Sequence, residues 1–427
     1  MSAGIFFVVW LLLVALGLPL FVTLGLASTL YLWAQGDVLL AVPQRVTAAA
    51  NSFTLLAAPF FMLAGMLMNS SGVTDRIYKF AECLVGWLRG GLAHVNVVGS
   101  VIFAGMSGSA VADAVGLGAI EIKAMTDEGY ERDFAAAVTA ASATIGPIIP
   151  PSVPMLVYAV TADASIGRLF LGGVVPGLLM AGALMVQLAW VSRRRGYPRH
   201  PLLTVRTVAA RTWAALPSLA TPAILLGGML SGAFTPTEAG AVAAAYALLL
   251  GLVIHRELSV RDLPRLFLDT VEANGVILIL VMTSSLFAFV LARAQVPQHL
   301  AAWLVSLSPS PLAFLLAVNL FLLLVGCFLE ALAAIIILTP VLLPAAKLLG
   351  IDPVHFGVVM VLNLMVGTLT PPVGIVLFVV SRVAELPFEA VVRSTAPFLV
   401  PLVVVLLLIT VWPDLVLFLP RLVLGPS

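Results

Sequence analysis

The sequence predicts an all-α polytopic membrane protein with an inverted structural repeat, two re-entrant helical hairpins and two broken, unwound helices. Composition, the lengths of apolar stretches and a proline pattern that occurs twice lead to this prediction. Hydrophobic residues make up 62% of the 427 residues and charged residues only 10%. Because a soluble domain has about 25% charged residues, this chain has too few polar side chains to cover a globule in water. The composition therefore indicates a protein of the lipid bilayer.

Eight stretches without Asp, Glu, Lys or Arg are long enough to cross a membrane. A helix needs roughly 17 to 25 apolar residues to cross about 30 Å of hydrocarbon. Shorter apolar stretches at 90–112, 239–254, 273–292 and 331–346 are interpreted as spans or re-entrant segments. We therefore expect ten to thirteen membrane segments. The eight long stretches are 1–36, 46–74, 134–162, 169–192, 212–237, 300–329, 353–381 and 394–413.

Charge, cysteine and histidine content exclude other classes of protein. A net charge of +1 argues against a nucleic-acid-binding protein. Cys83 and Cys327 form neither a disulfide framework nor a set of metal ligands. The histidines at 94, 200, 255, 299 and 355 lack paired spacing, and no Gly-x-x-x-x-Gly-Lys loop for an ATP-driven pump occurs. No catalytic residue is predicted, and no enzymatic activity is expected.

A proline pair occurs twice, in residues 146–151 and again 221 positions later in residues 367–372. Chance would align roughly one further Gly or Pro pair at this offset without a gap. Such a duplication, with Gly and Pro interrupting corresponding apolar segments, is typical of secondary transporters and indicates their binding sites. Three further pairs align: Gly105 with Gly326, Gly129 with Gly350, and Pro176 with Pro397.

The duplication divides the chain at a basic segment. Residues 1–192 and 212–427 are the predicted first and second membrane repeats, and residues 193–211 are a basic linker. The positive-inside rule places this linker, and a second arginine-rich loop, in the cytoplasm. If the copies are inverted, each has an odd number of crossings, so both termini are expected in the periplasm. The arginines concerned are Arg193, Arg194, Arg195, Arg199, Arg206 and Arg211, then Arg256, Arg261 and Arg265.

Each repeat is predicted to contain scaffold helices and one re-entrant hairpin, at about 100–125 and about 326–346. Small residues dominate 105–113, and each glycine lowers helix stability by up to about 1 kcal/mol. Irregular backbone at membrane depth is tolerated only where protein or a wet cavity surrounds it. Close helix packing through small residues is the alternative, but it explains neither Asp113 nor three small residues in direct succession.

Each repeat is also predicted to contain a broken helix, at about 134–163 and about 355–385. Prolines at 147, 150, 151 and 154 remove backbone donors and must unwind the first. The released carbonyls suit a cation, and half-helix amide ends suit an anionic substrate. Oxygen ligands without an obligatory carboxylate favour Na⁺ over a proton. The alternative, a simple proline kink, accounts for most single membrane prolines but not for a duplicated pair.

Longer motifs resemble the large membrane subunit of tripartite ATP-independent periplasmic (TRAP) transporters. The resemblance covers essentially the whole chain. It implies a multi-pass permease of the bacterial inner membrane, with an elevator-type fold of the ion transporter superfamily, that imports an organic acid with Na⁺ as coupling ion. The motifs are residues 107–113, Gly129-Tyr130, 135–154, 165–170, 234–239, 338–340 and 350–357.

The resemblance also implies two protein partners. One is a small four-helix membrane subunit, expected here as a separate chain, and the other is a periplasmic substrate-binding protein. A self-sufficient Na⁺-coupled carboxylate symporter of the same superfamily is the alternative, and co-purification with a small subunit would separate the two. A channel is less favoured, because alternating access explains an inverted repeat better than a static pore does.

By resemblance, the first sodium site comprises Ser107, Ser109, Gly146, Ile149 and Pro151. The offset of 221 extends this to a second site at Gly326, Glu330, Gly367, Thr368, Thr370 and Pro372. For Glu330 three roles stay open: a sodium ligand, a group that orients a ligand, or a helix cap. No other metal is expected. The residues predicted to contact substrate are Ser109, Asp113, Pro150, Ser152, Thr370 and Gly374.

The remaining ionisable residues carry weaker predictions. Asp163 and Arg168 are expected to pair at the membrane interface. Glu121, Lys123, Arg382 and Glu385 stay open between hairpin anchors and substrate contacts. The charged stretches 70–90 and 255–272 alternate with apolar residues and are interpreted as interfacial helices.

Overall fold

The computed structural model describes residues 3–36, 39–50, 56–296 and 310–425. There the regular structure is helical apart from one isolated β-bridge between Arg89 and Arg199. The predicted stretches 46–74 and 300–329 lie partly outside these residues, and His299 lies wholly outside them. The first half contains α1 Ala3–Ala15, α2 Leu20–Ala34, α3 Ala41–Ala50, α4 Ala57–Ser70, α5 Val73–Val85, α6 Gly91–Ser107, α7 Ala110–Asp127, α8 Arg132–Ala143, α9 Val153–Ala162 and α10 Ile166–Arg195.

The second half contains helices of similar lengths. They are α11 Val205–Leu230, α12 Pro236–Leu249 with a π-helical turn Leu250–Ile254, α13 Leu263–Arg293, α14 Pro311–Gly326, α15 Ala331–Leu348, α16 Pro353–Gly367, α17 Ile375–Val383, α18 Phe388–Val411 and α19 Asp414–Leu424.

Six helices in the described part of the chain are long and apolar enough to cross a membrane: α10, α11, α12 with its π-turn, α13, α15 and α18. Other predicted spans are divided into shorter helices. Residues 1–36, for example, form α1 and α2, because Pro19 begins a new helix after Gly17 adopts φ +76°. The stretch 255–272 is not a separate interfacial helix, since α13 begins at Leu263 and continues to Arg293.

Helix boundaries in the two halves correspond at the offset of 221. Shifted by it, both ends of α7 coincide with those of α15, and the start of α8 coincides with that of α16. The helix pairs α6–α7 and α14–α15 cover 91–127 and 311–348, so each begins well before the predicted 100–125 and 326–346. Gly, Ser and Glu mark the turn between the helices, whereas the first helix of each pair begins well before these residues.

The two interrupted helices, α8–α9 and α16–α17, run in opposite directions. At one end of the molecule, the Arg132 guanidinium at the start of α8 lies 3.2 Å from the Glu385 carboxylate, just after α17. At the other end, the Tyr158 hydroxyl in α9 donates to the Pro353 carbonyl at the start of α16, over 2.8 Å. Both interruptions, residues 144–152 and 368–374, therefore lie between these two ends.

The segment between the two halves is shorter than the predicted 193–211. Helix α10 continues to Arg195 and α11 begins at Val205, which leaves 196–204 outside both helices. This segment packs along the base of the α6–α7 pair, where the Gly90 amide donates to the Pro198 carbonyl over 3.0 Å. The Tyr197 hydroxyl donates to the Glu131 carboxylate, and this hydrogen bond lowers the pKa of Glu131.

Candidate functional site

A cavity of about 480 Å³ lies where the turns of both helix pairs meet both helix interruptions. Helix α4 completes its wall. The first half contributes residues 107–112, Val115, Pro147, Val153 and Pro154, α4 contributes Met62, Gly65, Met66 and Asn69, and the second half contributes Glu330, Ala331, Leu332, Met365, Thr368, Ile375 and Val376.

The first turn lies against the first interruption through backbone contacts. Gly108 has φ +59°, and a Cβ there would lie 2.4 Å from the Pro151 carbonyl oxygen. The Val153 amide donates to the Gly108 carbonyl over 3.4 Å, and a Cβ on Gly146 would lie 3.5 Å from the Ser109 carbonyl oxygen. The residues predicted as the first sodium site are thus brought together.

Ile149 lies in the same interruption, but its side chain points away from the turn. A Cβ on Gly177 of α10 would lie 2.4 Å from the Ile149 Cγ1 atom. Whatever Ile149 contributes at the interruption must therefore come from its backbone.

The two serines of the first turn have different surroundings. Ser109 caps α7 by accepting a hydrogen bond from the Ala112 amide over 3.4 Å. The Ser107 hydroxyl is buried and has no hydrogen-bond partner among the described residues. An unsatisfied buried polar group costs about 1–3 kcal/mol. Since Ser107 also lines the cavity, its oxygen is available to a ligand there.

In the second half, the turn and the interruption meet at two glycines. A Cβ on Gly367 would lie 2.7 Å from the Gly326 Cα atom. The Thr368 hydroxyl donates to the Met365 carbonyl over 2.6 Å, and the Thr370 hydroxyl donates to the Val366 carbonyl over 3.1 Å. Both threonine oxygens keep lone pairs for another partner, but only Thr368 lines the cavity. Thr370 and Pro372 lie in the same interruption outside the cavity wall.

Glu330 caps a helix, which is one of the three roles left open by the sequence. Its carboxylate accepts from the Ala333 amide over 3.1 Å at the start of α15. The offset of 221 aligns Glu330 with Ser109 and Ala333 with Ala112, so the two caps correspond in both donor and acceptor. Glu330 also lines the cavity, which places a carboxylate where the first half has a hydroxyl.

Of the six residues predicted to contact substrate, Ser109 lines the cavity and the other five do not. Ser152 is 1% exposed. Its hydroxyl donates to the Pro147 carbonyl and accepts from the Met155 amide, which caps α9. Asp113 is also 1% exposed, inside α7, and neither of its carboxylate oxygens has a hydrogen-bond partner among the described residues. Pro150, Thr370 and Gly374 are not part of the cavity lining.

The sequence interpretation missed the contribution of α4. A Cβ on Gly65 would lie 3.3 Å from the Ser107 Cα atom, and a Cβ on Gly116 would lie 2.2 Å from the Asn69 amide oxygen. These glycines allow α4 to pack directly on the α6–α7 pair. In sequence α4 is an ordinary apolar segment, so nothing in it indicated a cavity-lining face.

Comparison with known proteins identifies the family. Residues 7–415 match the family described as "Tripartite ATP-independent periplasmic transporter, DctM component". The chain belongs to the DctM family. It is 46% identical over 417 residues to the sialic acid TRAP transporter large permease protein SiaM of Vibrio cholerae, covering 97% of this chain and 98% of SiaM.

Two further relatives are named for a C4-dicarboxylate and for sialic acid. The C4-dicarboxylate TRAP transporter large permease protein DctM of Pseudomonas aeruginosa is 40% identical, covering 93% of this chain and 94% of that protein. The sialic acid TRAP transporter permease protein SiaT of Haemophilus influenzae is 41% identical, covering 99% of this chain and 69% of SiaT.

Among solved structures, the YdaH transporter of Alcanivorax borkumensis matches with a TM-score of 0.67 at 17% identity, over 90% of this chain and 89% of that one. This likeness concerns the fold alone. As a DctM protein the chain is a transporter permease component and not an enzyme, located in the bacterial inner membrane. The predicted family and membrane location are therefore confirmed.

Proposed function

We propose that this chain is the large permease subunit of a TRAP transporter that imports a carboxylate-bearing organic solute together with Na⁺. The observation that supports it best is the cavity formed jointly by both turns and both interruptions. Its volume of about 480 Å³ lies within the usual range for small-molecule sites. The full-length relation to SiaM makes a sialic-acid-like sugar acid the first substrate to test, and a C4-dicarboxylate the second.

In this proposal the two halves are inverted repeats, and the pairs α6–α7 and α14–α15 are the hairpins of an elevator-type mobile domain. The opposite directions of α8–α9 and α16–α17 support the inversion. The first hairpin approaches α4 closely at two glycines, Gly65 and Gly116, which favours sliding. The arginine-rich segment between the halves is then cytoplasmic.

Charge in the cavity wall supports a coupling cation. The described lining contains the Glu330 carboxylate but no Lys, Arg or His. A substrate carboxylate beside Glu330 would be repelled unless a cation lay between them. The substrate would then be held by hydroxyls, by the Asn69 amide and by half-helix amide ends. Sodium would be held first by Ser107, Ser109 and the carbonyls of Gly146, Ile149 and Pro151, and second by Thr368, Thr370 and the carbonyls of Gly326, Gly367 and Pro372.

The proposed partners are a small four-helix membrane subunit and a periplasmic substrate-binding protein. Both partner proteins are expected to be required for uptake, since the relatives are named as permease proteins of TRAP transporters. Uptake by the large subunit alone would instead favour the self-sufficient symporter.

Ser107→Ala tests the first sodium site. The variant removes one oxygen from a site with few ligands, so the Na⁺ concentration for half-maximal uptake should rise several-fold in proteoliposomes that hold all three components. Ser28→Ala is the matched control, because the Ser28 hydroxyl is equally buried but bonds to Leu24 in its own helix. Uptake that does not depend on Na⁺ in the wild type would overturn the coupling proposal.

A further inference from the structure

A buried asparagine joins the first helix pair to the first interrupted helix. Asn96 in α6 donates to the Thr139 hydroxyl over 2.7 Å and accepts from the Ser142 hydroxyl over 2.6 Å. Both partners lie in α8, and Asn96 and Ser142 are fully buried. We call this group the first clamp.

The second half has a group with the same donor and acceptor pattern, the second clamp. Asn319 in α14 donates to the Thr410 hydroxyl of α18 over 2.8 Å. The Asn363 side-chain amide of α16 donates to the Asn319 side-chain oxygen over 2.9 Å. The same amide donates to the Asn319 main-chain carbonyl, also over 2.9 Å. All three side chains are buried.

The clamps occupy corresponding places beside the proposed ion sites. Ser142 and Asn363 are related by the offset of 221, and each lies four residues before the glycine at which turn and interruption meet, Gly146 or Gly367. In the second half this is one helical turn, about 5.4 Å, because α16 continues to Gly367, whereas in the first half α8 ends at Ala143, three residues before Gly146. Asn96 and Asn319 are two positions out of this register, so the sequence repeat does not align them.

We infer that Asn96 and Asn319 are positioning residues that set the spacing between each hairpin turn and its interruption, and so the affinity for the coupling cation. Hydrogen bonds between buried neutral groups are strengthened by the low local dielectric. Both side-chain polar atoms of Asn96 and of Asn319 are satisfied, while the Asn363 side-chain oxygen has no partner among the described residues. A ligand set is productive only when its supporting contacts hold it within about 0.5 Å. The inference rests on the proposed sodium coupling.

Ser142→Ala and Asn363→Ala test the two clamps in the assembled transporter, reconstituted in proteoliposomes. Each removes the donor to the asparagine oxygen without touching a proposed ligand. We expect the Na⁺ concentration for half-maximal uptake to rise about 3- to 10-fold, the factor that one lost hydrogen bond produces. The maximal rate at saturating Na⁺ should stay within about twofold, while Ser142→Cys, a weak donor of similar volume, should give an intermediate shift. Ser28→Ala should give the wild-type curve.

A purely structural role predicts a different result. The variants would then unfold at lower temperature without Na⁺, but their half-maximal Na⁺ concentrations would equal that of the wild type, which would overturn the inference. Failure of Ser142→Cys as well as Ser142→Ala to assemble would also overturn it, because the clamp would then serve stability. Loss of Na⁺ dependence in the wild type itself identifies a failure of the proposed function rather than of the clamps.

Discussion

The two helix interruptions have corresponding positions but different surroundings. In the first, Pro150, Pro151 and Ser152 are buried, whereas in the second their counterparts Pro371, Pro372 and Val373 are exposed. The first interruption is therefore enclosed by protein, and the second lies at the surface of the described structure. The helix boundaries beside the two interruptions correspond, while their environments differ.

The half-helices that follow the interruptions differ in the same way. Ser152 caps α9, so its hydroxyl occupies part of the amide end of that helix. Helix α17 begins after Gly374, at φ +53°, without a side-chain cap hydrogen bond. Since uncapped amides attract anions, we expect the amide end of α17 to be more available to an anionic substrate than that of α9.

The turns differ as well. Gly108 in the first turn has a left-handed backbone, whereas its counterpart is Leu329. Gly105 lies against Pro222 of α11, where a Cβ would lie 2.9 Å from the proline ring, but its counterpart Gly326 lies against Gly367. At this position the first helix pair is thus packed against another helix, whereas the second is packed against its own interruption.

The largest effect is expected for Gly108→Ala. A methyl group would collide with the Pro151 carbonyl and strain a left-handed backbone. Overpacking and strain together cost roughly 2–5 kcal/mol, so uptake should fall about 30-fold or more. Gly129→Ala is the control, because Gly129 has φ +85° but open space around it, and strain alone should cost about 1–2 kcal/mol. Equal losses in both variants would mean that the close contact is unimportant.

A smaller effect is expected for Ser152→Ala. Loss of the cap and of the bond to Pro147 should destabilise the first half-site by about 1–2 kcal/mol, lowering the midpoint of thermal unfolding by a few degrees. The counterpart change Val373→Ala, at a 38% exposed position, should cost less than about 0.5 kcal/mol. Similar shifts for both would contradict the asymmetry between the interruptions.

The smallest effect is expected for Thr370→Val, which keeps the shape but removes the hydroxyl. Uptake should become less cooperative in Na⁺ concentration, because the proposed second sodium site loses one oxygen. Assembly with the small subunit, measured by co-purification, should be unchanged. A variant that assembles and follows the wild-type Na⁺ curve would mean that the second proline pair is structural.

The sequence by itself determined the two helix interruptions and the break at Gly108, although other prolines such as Pro176 and Pro222 lie inside continuous helices. Pro150, Pro371 and Gly108 act through the backbone of their own neighbourhood, by a missing donor or a left-handed φ, so their effect requires no knowledge of the fold. The offset of 221 likewise related Ser109 to Glu330 before either was observed to cap a helix. Such constraints on the local backbone can be recognised from residue type and spacing.

Only the tertiary structure decided which faces meet. Asn69 and Gly65 line the cavity, Asn96 and Asn319 form the clamps, and Ser152 is turned away from the cavity it was predicted to line. Helices that are apolar all round carry no periodic signal for the face that packs inward. A contact such as that from Tyr158 to Pro353 joins residues 195 positions apart, and the packing of whole helices, rather than any local preference, brings those residues together.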